Sequence, residues 1–113
     1  MSAPKHMQIN LKATHLELTD AIKDYLQVKI DMLEKYLGHT NVLNCDVELE
    51  KAVGGQNKGD IFRVEVNLQI PKEILRVEKT ETDLYKAIDK VKDHMVDVIV
   101  SHREKLRDLR RGK

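Results

Sequence analysis

Apolar and polar residues alternate along four stretches of this 113-residue chain, and apolar residues recur every three to four positions along two others. Met7, Ile9 and Leu11 alternate with Gln8, Asn10 and Lys12, which predicts a short strand with one apolar face. Leu43, Cys45, Val47 and Leu49 alternate with Asn44, Asp46, Glu48 and Glu50 in a second strand. Phe62, Val64, Val66, Leu68 and Ile70 alternate with Arg63, Glu65, Asn67 and Gln69 in a third, the cleanest of the set. Leu75 and Val77 belong to a fourth, after a tight turn at Pro71-Lys72. Residues Gly54 to Gly59 read as a flexible hairpin loop.

Helical spacing takes over in two places. Ile22, Tyr25, Leu26, Ile30, Leu33, Tyr36 and Leu37 form one stripe, which predicts a single helix. Thr19 is placed to cap its start, Asp20 and Asp24 suit its positive end, and Gly38 closes it. The last helix is predicted from Thr82 or Asp83 to about Leu109, some ~40 Å long. Its stripe is Leu84, Ile88, Val91, Met95, Val98 and Ile99, with Leu106 and Leu109 beyond.

The predicted order is β-α-β-β-β-α, an α+β domain with a four-stranded mixed sheet. The first strand–helix–strand unit should pair in parallel by a right-handed crossover, and the short turns make the later strands antiparallel. Each strand has a single apolar face, so both helices should cover the same side. The other side, drawn from residues such as Asp46, Glu48, Glu50, Arg63, Glu65 and Glu78, is mixed and acidic, and it offers no aromatic ring for base stacking. One domain is expected over residues 7–109, with 1–6 and 110–113 as flexible ends and Met7 as a candidate native start.

Composition narrows the functional classes. The formal net charge is +1, so overall charge gives no argument for nucleic acid. Its distribution does: from Ser101 to Lys113 six bases face only Glu104 and Asp108. A solvated helix end whose bases suit the helix dipole is the competing explanation. Cys45 is the single cysteine and lies on an apolar face, which points to packing, and a reducing cytoplasm is expected. No apolar run is long enough for a membrane span, and no membrane partner is expected.

No catalytic constellation stands out. Neither a P-loop nor G-x-G-x-x-G is present, and the Gly54–Gly59 loop leads into a strand instead of a phosphate-binding helix. Ser101 and His102 project about 100° apart on a helix, unsuited to a nucleophile–base pair. His94 beside Asp93 and Asp97 reads as a surface pair. No enzyme activity, cofactor, metal or small-molecule substrate is expected. Lys23, Lys29 and Lys35 on the first helix, and Lys86, Lys90, Lys92, Arg103, Lys105 and Arg107 on the last, are the remaining candidates, and without further context most read as a solvated face.

The fourth strand running through E-K-T-E-T-D-L-Y-K-A-I-D into a long charged helix resembles the family of short ribosome hibernation-promoting factors and ribosome-associated inhibitor A. M-Q-I-N-L-K, L-E-L-T-D-A-I-K-D-Y, M-L-E-K-Y-L and V-E-L-E-K follow the family's order and spacing from Met7 to Leu109. The resemblance implies a fold like that of double-stranded-RNA-binding domains. It implies binding to 16S rRNA in the decoding channel of the small subunit, and to the 70S ribosome, blocking mRNA and tRNA and silencing translation under stress. The alternative is a diverged protein-interaction module of the same fold. The bases of both helices make the family's rRNA contacts, so the implied RNA-binding set is Lys23, Lys29, Lys86, Lys90, His94, Arg103, Lys105 and Arg107, converging on one patch. Met32, His94 and Asp97 stand where the family has cations, which implies weaker binding and a shallower salt dependence.

Overall fold

The computed structural model describes residues 6–53 and 59–112. Its elements are β1 (Asn10–Thr14), α1 (Asp20–Asp31), α2 (Glu34–Leu37), β2 (Asn44–Val53), β3 (Asp60–Ile70), β4 (Glu73–Glu81) and α3 (Leu84–Arg110). The sheet order is β1-β2-β3-β4, with β1 parallel to β2 and the other neighbours antiparallel. The helices share one face of this sheet, as the single apolar side of each strand requires. Among the described residues twenty apolar side chains are buried and no polar or charged one is, so the core contains no ion pair. Cys45 lies in that core, where burial foremost pushes its thiol up to about 12, outside the reactive range. Residues 54–58, most of the expected hairpin loop, lie outside the described set.

Three boundaries differ from the expected ones, each for a local reason. β1 starts at Asn10, not Met7. The Met7 N–H donates to Asp31 Oδ1 at 2.9 Å, and the Gln27 side-chain amide donates to the Met7 carbonyl at 2.9 Å. That backbone is therefore held by α1 side chains and not by the sheet, although Met7 and Ile9 still pack against the core. Leu43, expected inside, is exposed, because β2 begins one residue later and half-buried Val42 takes the place beside the core.

The expected single first helix is two. α1 stops at Asp31, and Leu33 N–H bonds to the Ile30 carbonyl at 3.0 Å in a tighter three-residue turn. The break keeps both Leu33 and Leu37 in the core. Thr19 caps α1 by accepting from Ile22 N–H at 3.2 Å, and Asp83 caps α3 by accepting from Tyr85 N–H at 2.8 Å.

α3 outruns the sheet. A 27-residue helix is ~40 Å long, whereas the nine residues of β4 span ~30 Å. The expected stripe is buried from Leu84 to Ile99 except for half-buried Val98, but Leu106 and Leu109, toward the end of the helix, are exposed. Lys72, at the β3–β4 turn, has φ of 70°.

Gly38 ties the two helical layers together. Its φ is 59°, and an added Cβ would sit 2.7 Å from Arg103 Nη2. The Arg103 guanidinium donates from Nη1 to the Tyr36 carbonyl at 2.8 Å, closing the C-terminal end of α2. Gly38→Ala is expected to cost ~1–3 kcal/mol through backbone strain and through displacement of that guanidinium. Urea denaturation should show a smaller loss for the same substitution in an Arg103→Ala background, since only the backbone part then remains.

Candidate nucleic-acid interface

The seam between α1 and α3 is built from Tyr25, Lys29, Tyr85 and Asp89. The Tyr25 hydroxyl donates to Asp89 Oδ1 at 2.6 Å, and Lys29 Nζ lies 3.2 Å from the same oxygen. Lys29 also stands over the Tyr25 ring at 5.2 Å, and the Tyr25 and Tyr85 rings meet edge to face at 4.8 Å. Burial pushes the Asp89 carboxyl up, but the Tyr25 hydroxyl and the Lys29 ammonium together outweigh it and hold the group below its usual range. The same bond to Asp89, helped by burial, raises the Tyr25 phenol. Neither Tyr25 nor Asp89 stands out in the sequence as a functional residue; the spacing of Tyr85 and Asp89 along one helix face is the available signal.

The helical bases expected on a single patch fall on four surfaces. Lys29 is in the seam and engaged by Asp89. Lys23 precedes Gln27 by one turn and shares its side of α1, toward the Met7 segment. Lys90 lies on the β4 flank of α3, 2.5 Å from Glu81, whose carboxyl it holds low by direct hydrogen bonding, with Lys86 adding to the effect. His94 and Lys105 border a shallow groove on the same flank with Glu73, Asp97 and His102, and His102 Nδ1 is 3.0 Å from Glu73. Lys92 is paired with Asp93 at 2.5 Å.

Four arginines without an ion-pair partner gather at the far end of α3. Arg103, Arg107, Arg110 and Arg111 take part in no ion pair among the described residues. All four line a cleft of about 710 Å³ beneath the overhanging part of α3. Arg103 and Arg107 belong to the RNA-binding set implied by the sequence; Arg110 and Arg111 are marked there only by their charge. Like Lys29 in the seam, Arg103 also has a structural duty, since it closes α2.

The open sheet face is arranged differently. Arg63 is gripped by Glu48, by Glu50 at 2.9 Å and more loosely by Glu78 at 3.8 Å. Its hydrogen bond foremost holds the Glu48 carboxyl low. Arg76 Nε donates to Asn67 Oδ1 at 2.7 Å. This face satisfies its own cations and, among the described residues, presents no ring on which a base could stack. Among the same residues no group of three or more His, Cys, Asp or Glu is placed to hold a metal ion, and no helix is long and apolar enough to cross a membrane.

Because Asp89 titrates below its unfolded value, the seam contributes stability at neutral pH and loses it as pH falls through the folded carboxyl's range. Asp89→Asn should therefore lower stability at pH 7 and flatten the acid side of the stability profile, below about pH 4. Chemical denaturation at pH 3 and pH 7 measures this. An acid limb as steep as that of the parent chain would count against the seam.

Comparison with known proteins places these elements in a family. The sequence profile described as sigma 54 modulation protein / S30EA ribosomal protein matches residues 9–107. A ribosome hibernation promoting factor of Pseudomonas putida is 29% identical over 106 residues, covering 94% of this chain and 96% of that one. One from Acidithiobacillus ferridurans is 35% identical over 83 residues, covering 74% of this chain and all of the relative. The N-terminal domain of Thermus thermophilus Protein Y superposes with a TM-score of 0.66 at 28% identity, over 85% of this chain and 99% of that domain. The chain belongs to the sigma 54 modulation protein / S30EA ribosomal protein family, that of the ribosome hibernation factors.

Proposed function

We propose that this protein binds the small ribosomal subunit through 16S rRNA in the decoding channel, where its bulk blocks mRNA and tRNA and silences translation. Membership in a family of ribosome hibernation factors supports the ribosomal partner. The observation that carries the choice of surface is the gathering of unpaired arginines at the end of α3. Cations already held by carboxylates release few counterions from RNA, so Lys29 and Lys90 contribute less than their number suggests. Guanidiniums without an acid partner are the ones available to phosphate. Occlusion of this kind requires no reaction, in keeping with a non-enzymatic family, and a protein acting on ribosomes works in the cytoplasm.

A second reading has its own observation. Val28, Met32 and Val100 are exposed apolar residues on helices whose seam is electrically self-satisfied. A protein partner on the helical layer would fit that character, and its complex would survive nuclease.

Sedimentation with purified 30S or 70S particles distinguishes the two. Binding should fall as salt rises. Arg107→Glu/Arg110→Glu/Arg111→Glu should weaken it and make the salt slope shallower, by about one for every phosphate the variant no longer neutralises. Lys23→Glu/Lys86→Glu should have the smaller effect. Retention that ignores both salt and the arginine reversals would overturn the proposed surface.

A further inference from the structure

We infer that the cleft under the end of α3 is a nucleotide site, with arginines on the phosphates and an apolar wall against the sugar and base. The inference deepens the ribosomal reading by naming the unit bound at this end, and rests on it only where RNA is the source of that unit.

The cleft's chemistry is one-sided. Arg103, Arg107, Arg110 and Arg111 line it together with His39 and His102, and no carboxylate is among its lining residues. Arg63, Lys29, Lys90 and Lys92, by contrast, lie against acids. Guanidiniums offer paired donors in a fixed fork that matches phosphate oxygens. Arg103 is already oriented by the Tyr36 carbonyl, so one fork is in place before any ligand arrives.

The apolar part of the lining, its wall, is Pro71 and Leu106 with the almost fully buried Ile70, and polar Thr40 and Asn41 complete the cleft. A helix end that merely matches bases to its own dipole needs neither this wall nor a guanidinium as far back as Arg103. A bare phosphate would leave the wall unused. The cleft volume of about 710 Å³ lies within the usual range for small-molecule sites and exceeds what a bare phosphate fills. No Phe, Tyr or Trp lines the cleft among the described residues, so the base is held by shape and apolar contact without stacking on such a ring. Affinity should then follow the number of phosphates and discriminate little between bases. Free nucleoside triphosphates and the phosphorylated end of an RNA strand carry the same chemistry.

Calorimetric titration of the full chain at low salt tests the site, with GTP, GDP, GMP, ATP and inorganic triphosphate as ligands. GTP and ATP should bind alike, GTP more tightly than GDP and GDP more tightly than GMP, and inorganic triphosphate more weakly than GTP. Arg107→Glu/Arg110→Glu should weaken GTP by about tenfold or more. These side chains are exposed, and circular dichroism checks that the variant stays folded. Lys23→Glu/Lys86→Glu should leave GTP binding unchanged. A 5′-triphosphorylated oligoribonucleotide that displaces GTP, where its 5′-hydroxyl counterpart does not, identifies a strand end as the ligand source; failure of both to displace it identifies the free nucleotide. The inference is overturned if GTP does not bind, if it binds the arginine variant equally, or if inorganic triphosphate binds as tightly as GTP. Intact 30S sedimentation with no GTP binding would remove this inference alone, and GTP binding without sedimentation would remove the ribosomal reading alone.

Discussion

A four-stranded sheet with one apolar face is the constraint on which the other features depend. Val47, Leu49, Val64, Val66 and Leu68 are almost completely removed from water, and only a layer of helices can do that on one side while the other side stays wet. α1 and α3 must therefore lie next to each other, and their adjacent flanks must be compatible. Tyr25, Lys29, Tyr85 and Asp89 make them so. The seam is a consequence of covering the sheet, and it engages the Lys29 ammonium.

Because the core holds no charge among the described residues, their ionic groups are settled at the surface, where an individual pair contributes little to stability. What these pairs decide is which cations are left over. Arg63 on the open face, Lys29 in the seam and Lys90 on the β4 flank are engaged. At the far end of α3 four arginines take part in no ion pair among the described residues and line one cleft. The length mismatch between a long helix and a shorter strand thus gathers these four arginines at one end of the molecule.

Arg103 joins a structural duty to the proposed binding role. Its guanidinium closes α2 through the Tyr36 carbonyl and packs against Gly38, yet it also lines the basic cleft. Altering it changes both the joint between the helical layers and the charge of the cleft. Arg107 and Arg110, which bear no such joint, separate the two effects.

The amino-acid sequence by itself determined the element types, the cap at Thr19, the start of the last helix at Thr82 or Asp83, the inward residues of the central strands apart from Leu43, and the sharing of one sheet face by the helices. These follow from periods of two and about 3.6 residues, which are properties of local covalent geometry. It also carried the family, through motifs spread from the first strand to the last helix. Tertiary structure alone decided that Met7 is held by α1 and not by the sheet, that Leu106 and Leu109 run past the core, and which cations are neutralised. Tyr25 and Asp89 are 64 positions apart and Tyr36 and Arg103 are 67 apart. No periodicity spans such separations: a charge finds its partner only when folding sets distant segments a few ångströms apart, and the positive surface is what that pairing leaves behind.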